Sequence, residues 1–311
     1  MERKMQFERI EGLIAAPFTP MDESGSMIPD FIPEYYDFLV KNNVKGVFVN
    51  GSTGEGASLS QKEKELQITK WAHCNTQQKK LKVINLVGGT SYEECIDNAK
   101  LSMHLGISAI SIIAPYYFKP ASAEILAEFV ARIGESVPDM PVYFYHIPVL
   151  TGVNMPMIDF LRRIASMLPN FAGIKYTNED FADYLSCLNF DNKAYDILWG
   201  RDECYLSALV LGAKGAVGST FNYAAPLYNE LVKYYNEGLL DEARALQQKS
   251  IDMISILSRY GGIATGKAFM KYLGLNCGQF RLPVKNMSDE MYEHFLKDVA
   301  ELRMEALFSK L

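Results

Sequence analysis

Histidine is scarce in this 311-residue chain, and closely paired cysteines are missing from it. Its four histidines (His73, His104, His146 and His294) are spread without ligand spacing, which argues against a metal centre. The five cysteines (Cys74, Cys95, Cys187, Cys204 and Cys277) are odd in number, scattered, and never form a Cys-x-x-Cys pair. They read as reduced, small core residues of a cytoplasmic protein, not as a disulfide framework. No apolar run reaches membrane-spanning length. The stretch Met1–Ile10 carries too many charges for a secretory signal. Charge of one sign is nowhere concentrated: 31 basic and 37 acidic residues are interspersed, for a net charge of −6. Without a basic stripe or block, neither nucleic acid nor an anionic membrane is an expected partner.

What the chain does have is a 49% hydrophobic fraction, enough for a large core, and one steady rhythm. Short apolar runs rich in Val, Ile and aromatics fall at Gly12–Phe18, Gly46–Asn50, Lys82–Val87, Ala109–Ala114, Val142–Tyr145, Ala172–Tyr176, Ile197–Trp199 and Gly215–Gly218. Amphipathic stretches separate them, at Pro29–Asn43, Gln61–Thr76, Ser91–Leu105, Ala123–Glu135, Met157–Met167 and Tyr205–Leu211. Strands alternating with helices predict an α/β fold with a parallel sheet, and eight strands is the number that closes a (β/α)8 barrel. An open doubly wound sheet is the alternative, because periodicity does not determine closure. After the eighth run the pattern becomes all-helical: Ala225–Glu237, Leu239–Arg259, Ala264–Leu273 and Ser288–Leu307. We expect a barrel over 8–225 and a C-terminal helical segment over 226–311, packed together as one unit because no low-complexity linker divides them.

Lys175 ends the apolar run Phe171-Ala-Gly-Ile-Lys-Tyr-Thr177 and so falls at the C-terminal tip of a predicted buried strand. Burying an unpaired ammonium is costly, and loss of the proton is the usual escape. A neutral lysine amine condenses with ketones to a Schiff base. The plainer alternative is a lysine that snorkels to solvent. The other strand exits bear on the choice. They carry Asn50-Gly-Ser-Thr-Gly-Glu-Gly56, Pro115-Tyr-Tyr-Phe118, Tyr145-His-Ile-Pro148, Gly200-Arg-Asp-Glu203 and Gly218-Ser-Thr-Phe-Asn222. In a barrel these groups would gather on the C-terminal face, where catalytic residues lie. Ser52 and Thr53 offer hydroxyls and backbone N–H groups without fixed charge, suited to a carboxylate or an oxyanion, or else form an ordinary turn. The Tyr145 phenol could move protons, or be a satisfied core tyrosine. Asp202 and Glu203 could accept hydrogen bonds from a polyol, or simply favour a helix N-terminus. Gly261-Gly-Ile-Ala-Thr-Gly-Lys267-Ala268 nearly fits a phosphate-binding loop, but Ala268 lacks the hydroxyl and the segment follows a helical stretch, so it is rejected as a nucleotide site.

Taken together, Gly51-Ser-Thr-Gly-Glu55, Tyr145-x-Ile-Pro148 and Gly173-Ile-Lys175 resemble the class I aldolases that include dihydrodipicolinate synthase and N-acetylneuraminate lyase. The resemblance runs from about Gly12 into the C-terminal helices. It implies a TIM barrel with a helical extension, assembled as a homotetramer. It implies that Lys175 forms the Schiff base with pyruvate, that Tyr145 relays protons, and that Ser52 and Thr53 hold the pyruvyl carboxylate. Tyr117 would enter the neighbouring subunit's site and join a hydroxyl chain with Ser52 and Tyr145. The synthases of this family carry an arginine shortly after the strand-five tyrosine; Leu150 stands there instead. The lyase-like pattern is present as Thr177, Gly200-x-Asp-Glu203 and Gly218-Ser-Thr-Phe-Asn222. By that resemblance Thr177, Gly200, Asp202, Glu203 and Ser219 line the sugar-chain side. The expected reaction is retro-aldol cleavage of N-acetylneuraminate to pyruvate and N-acetylmannosamine, with the lysine as electron sink and no metal or organic cofactor. Another pyruvate-dependent aldolase, or a non-catalytic keto-acid-binding barrel, are the alternatives. Two departures stand out: His146 where asparagine is usual, and Arg201 beside the two acids, where a side chain pointing inward could neutralise Asp202.

Overall fold

Eight parallel strands close on themselves in the computed structural model of the chain, which describes residues 6–311. They are β1 (Gly12–Ala15), β2 (Gly46–Val49), β3 (Lys82–Leu86), β4 (Ala109–Ile113), β5 (Val142–His146), β6 (Phe171–Tyr176), β7 (Asp196–Trp199) and β8 (Gly215–Gly218). Closure is direct: Gly12 to Ala15 of β1 pair in register with Gly215 to Gly218 of β8. The open doubly wound alternative is thereby excluded. The connecting helices are α1 (Ile32–Lys41), α2 (Gln61–Gln78), α3 (Tyr92–His104), α4 (Ala123–Gly134), a one-turn α5 (Pro148–Thr151), α6 (Met157–Met167), α7 (Phe181–Asn189) and α8 (Tyr205–Leu211).

Local chemistry starts these helices where the sequence calls for it. Ser60 and Glu63 form a reciprocal capping box at α2, in which the Glu63 carboxylate accepts from the Ser60 N–H at 2.9 Å. Ser91, Ser122 and Asp180 cap α3, α4 and α7. Two cores result, because alternate residues of each strand face opposite ways. One lies inside the barrel and includes Ile14, Phe48, Ile84, Leu86, Tyr143, Tyr145, Leu198 and Val217. The other fills the layer between strands and helices and includes Phe144, Ile174, Tyr176, Tyr184 and Trp199. The N-terminal end of the barrel is plugged by Asp196, which accepts from the Tyr143 hydroxyl at 2.9 Å and from the Ile10 N–H at 3.0 Å.

Past β8 the chain is helical: α9 (Phe221–Asn236), α10 (Leu240–Arg259), α11 (Thr265–Tyr272) and α12 (Asp289–Glu301). Helix α9 begins earlier than its sequence pattern suggested and is kinked at Ala224, two residues before Pro226, which has no N–H to continue the ladder. An aromatic cluster welds the segment together. Phe269 stacks on Tyr223 at 4.6 Å and meets Phe295 edge-on at 4.9 Å.

Candidate active site

Lys175 sits near the end of β6 with its side chain inside the barrel. It pairs in register with Tyr145 of β5 on one side and Leu198 of β7 on the other. Its Nζ lies 3.9 Å from the centre of the Tyr145 ring and 4.0 Å from that of Phe48, and only 4% of the residue is exposed. The snorkelling alternative is therefore excluded. Aromatic faces attract an ammonium, but they also keep water away, and burial dominates: the lysine is pushed down from 10.5 to about 7, against the pull of the Asp202 carboxylate. At Gly173, two residues earlier, the backbone of β7 comes so close that a Cβ would overlap the carbonyl of Asp196.

Tyr145 meets Phe48 edge-to-face at 5.4 Å. Burial pushes its phenol up to about 12, while the hydroxyls of Ser52 and Thr177 facing it pull the other way. The phenol is thus protonated at neutral pH but has two groups ready to stabilise a phenolate. Thr177 Oγ1 is buried without a well-formed hydrogen bond of its own. It lies against Gly200, where any Cβ would collide with it. Lys175, Tyr145, Ser52 and Thr177 are thus brought together, and Thr53 is buried in the same loop as Ser52.

Asp202 is buried, and burial raises its carboxyl to about 6, opposed by Thr220. Its Oδ2 accepts from the Thr220 N–H at 2.9 Å and the Thr220 hydroxyl at 2.6 Å. That hydroxyl in turn meets the Tyr228 phenol at 2.7 Å, and Tyr228 meets Ser250 at 2.7 Å. One oxygen of Asp202 is committed to this chain, and only Oδ1 is free of it. Glu203 lies further out, with its carboxylate 2.9 Å from Arg201. Arg201 does not neutralise Asp202: its guanidinium bridges Glu203 and Glu179 instead, both half-exposed at the rim. Asn222 is structural. Its amide donates to the carbonyls of Ala16 and Ser219 at 2.7 and 2.8 Å and its oxygen accepts from Tyr35 at 2.7 Å. Ser219 stands at the exit of β8, between Gly218 and the Asp202-bound Thr220.

Strand alternation turns His146 out of the barrel, 5.2 Å from the Tyr176 ring. Burial pushes it down to about 4, so it is neutral there, with Nε2 unpartnered. Tyr117 and Phe118 are 77% and 85% exposed, and on α5 Val149 and Leu150 are 73% and 61% exposed. Phe48 and Thr220 were not picked out from sequence; the inward parity of Phe48 on β2 was the available signal. A cavity of about 740 Å³ at the opposite end of the barrel, between Arg9, Lys45, Lys79 and Lys82, contains none of the strand-exit groups.

A match to the dihydrodipicolinate synthetase family covers residues 9–302. The chain belongs to that family. Among its relatives, the N-acetylneuraminate lyase of Danio rerio is 37% identical over 282 residues, spanning 89% of this chain and 91% of that protein. The N-acetylneuraminate lyase structures of Aliivibrio salmonicida and Proteus mirabilis superpose with TM-scores of 0.92 and 0.91. They are 34% and 33% identical; each match covers 95% of this chain, and 98% and 99% of the respective structure.

Proposed function

We propose that this chain is a class I aldolase that cleaves N-acetylneuraminate to pyruvate and N-acetylmannosamine through a Schiff base on Lys175. The observation that carries the reading is the Lys175 amine, enclosed by two aromatic rings and brought down to about 7, so that much of it is unprotonated at neutral pH. The names of the relatives support the substrate class.

The open-chain keto acid binds with its carboxylate on Ser52 and Thr53. Neutral Lys175 adds to C2 and forms a carbinolamine. The phenol of Tyr145, protonated at rest, first serves as a donor and helps the C2 hydroxyl leave as water. The iminium that remains is the electron sink. Tyr145, now a phenolate supported by Ser52 and Thr177, takes the proton of the C4 hydroxyl. The C3–C4 bond breaks, its electrons flow into the iminium, and the aldehyde of the amino sugar departs. The enamine is protonated at C3 and hydrolysed, which releases pyruvate and the free amine. Thr177, Gly200, Asp202, Glu203 and Ser219 line the polyol side in this reading. Gly200 lets the backbone pass close to Thr177, where a side chain would displace the threonine hydroxyl.

The exposed Tyr117 and Phe118, with Val149 and Leu150 also exposed, support assembly of four copies in which Tyr117 enters a neighbour's site. All five cysteines are free, which supports a cytoplasmic enzyme, and no helix among the described residues is long and apolar enough to cross a membrane.

Incubation with pyruvate and borohydride tests the chemistry. Mass spectrometry should find one reduced pyruvyl unit on the peptide containing Lys175. An adduct on Lys267 or Lys214 instead would sink the assignment. Product analysis with a panel of keto acids then separates N-acetylneuraminate cleavage from a related aldolase activity.

A further inference from the structure

The stretch Asn50–Gly56 that carries Ser52 and Thr53 is bracketed by two residues in the left-handed region, Asn50 at φ 59° and Glu55 at φ 58°. Neither is glycine, and a side chain disfavours that conformation. Such residues persist only where the surroundings over-determine them. Both are pinned by buried polar partners. Asn50 donates to Asn85 at 2.8 Å, and Asn85 donates to Ser102 at 2.9 Å. Glu55 is held by the far end of the chain. Its Oε1 lies 2.9 Å from Lys267 Nζ, with the two side chains 4% and 2% exposed. Its Oε2 accepts from the Arg281 N–H at 2.8 Å. Lys267 also donates to the Gln279 carbonyl at 2.7 Å and rests over the Phe280 ring at 4.7 Å. The Arg281 side chain then pairs with Glu63, which completes the capping box of α2 with Ser60. The lysine of the rejected phosphate-loop motif is therefore a fully engaged internal cation.

A buried ion pair is a weak source of stability, and its best-attested use is to fix one arrangement among alternatives. This pair joins elements 212 residues apart and ends one residue beyond Gly54, within the turn that presents both carboxylate-binding hydroxyls. The turn is internally tight: Glu55 N–H donates to the Ser52 carbonyl at 3.1 Å and Gly56 N–H to the Gly51 carbonyl at 3.0 Å. Displacing Glu55 therefore displaces Ser52. We propose that Lys267 and Glu55 are positioning residues for the substrate carboxylate: through them the C-terminal helical segment holds the Asn50–Gly56 turn in the conformation that aims Ser52 and Thr53 into the barrel. The inference rests on the aldolase reading above and assigns to α11 a part in substrate recognition.

The test uses two ketones. Pyruvate needs both Lys175 and the carboxylate turn; acetone needs only Lys175. Glu55→Ala with Lys267→Met removes both charges together, so neither is left buried and alone. In the folded double variant, half-maximal reductive trapping on Lys175 should require roughly tenfold or more pyruvate, because small misplacements of binding groups are costly. Trapping by acetone should stay within about threefold of wild type, since the Schiff-base end is intact. An unchanged pyruvate requirement would overturn the inference. So would equal losses for both ketones, which would mean general damage to the barrel. If the double variant does not fold, Glu55→Gln, which keeps shape and an acceptor for Arg281, is read by the same pyruvate-to-acetone comparison. Wild-type protein that traps neither ketone on Lys175 would overturn the aldolase reading itself, and this inference with it.

Discussion

Tyr145 and Lys175 are register partners on adjacent strands, and both side chains turn into the barrel, the amine 3.9 Å from the centre of the phenol ring. Two consequences follow from this placement. The ring excludes water from the amine and so lowers its proton affinity. The same burial raises that of the phenol. Between about 7 and about 12 both partners are uncharged, a neutral nucleophile beside a neutral proton donor.

The pH dependence of Schiff-base formation should report this. The rate of trapping at low pyruvate should rise with pH and level off with an apparent midpoint near 7, because only the unprotonated amine attacks. Stopped-flow or quenched trapping between pH 5 and 9 measures it. A midpoint near the ordinary lysine value of 10.5 would show that the amine is not desolvated in solution.

Stability should carry the same signature without any substrate. Lys175 has a lower proton affinity folded than unfolded. Between about 7 and 10.5 the unfolded chain therefore holds the extra proton, and this group's contribution to stability rises with pH. Its cost is fully present below about 7 and disappears toward 10.5, and is on the order of 5 kcal/mol. Lys175→Met, of similar shape and without a charge, should unfold at higher denaturant than wild type at pH 7. The advantage should shrink steadily by pH 10. A constant or growing advantage would contradict the buried-amine picture.

Tyr145→Phe keeps the ring against Phe48 and Lys175 and deletes only the hydroxyl. Loss of a proton relay should lower kcat by roughly 10²–10⁴-fold. The melting temperature should change little, since the apolar contacts survive. A variant within about threefold of wild type would assign the relay to another group, because a true relay costs more.

The barrel was legible because parallel strands buried on both faces read as continuous apolar runs. The run Gly215–Gly218 and the helices Met157–Met167 and Tyr205–Leu211 have the same limits in the structure. Helix α7 was missed: in Phe181–Asn189 the inward face carries Asp183, which accepts from the N–H groups of Met157 and Ile158 at 2.8 and 3.0 Å. A buried acid breaks the apolar stripe that a helix pattern relies on. At the site, the depth of Lys175 was readable from the run around it. The partners of Arg201 and Lys267 were not. Glu179 lies 22 residues from Arg201 and Glu55 lies 212 residues from Lys267, so no local spacing announces either link.

Assembly is testable from the surface alone. Tyr117 and Phe118 form an exposed edge-to-face pair at 5.1 Å, a costly feature for a free monomer. Light scattering should give a mass well above the 35.0 kDa of one chain, with four copies expected. Tyr117→Ala combined with Phe118→Ala should weaken the assembly and lower kcat together. A fully active monomer would refute both the assembly and the role of Tyr117 in a neighbour's site.

Substrate choice rests on the contrast between Leu150 and the acids across the mouth. A doubly acidic product would want a cation near α5, where Leu150 is instead 61% exposed, and would be repelled by Asp202 and Glu203. A polyol chain wants acceptors. The two acids differ in what they can offer. Thr220 occupies Asp202 Oδ2, which fixes the carboxylate and leaves Oδ1 as its free acceptor. Glu203 shares Arg201 with Glu179, so its position at the rim depends on that cation. Cleavage of N-acetylneuraminate should therefore far exceed condensation of pyruvate with aspartate semialdehyde. Asp202→Asn and Glu203→Gln keep shape and remove charge. Each should raise KM for the nine-carbon acid by an amount worth about 0.5–1.5 kcal/mol per neutral hydrogen bond lost, and more where the bond is charge-assisted. The pyruvate concentration for half-maximal trapping should move much less for Glu203→Gln, which is remote from the amine. Asp202→Asn should also shift the midpoint of the trapping profile downward, because the carboxylate that favours the Lys175 ammonium is gone. Equal weakening of both ligands by Glu203→Gln would make that residue structural and remove the polyol argument.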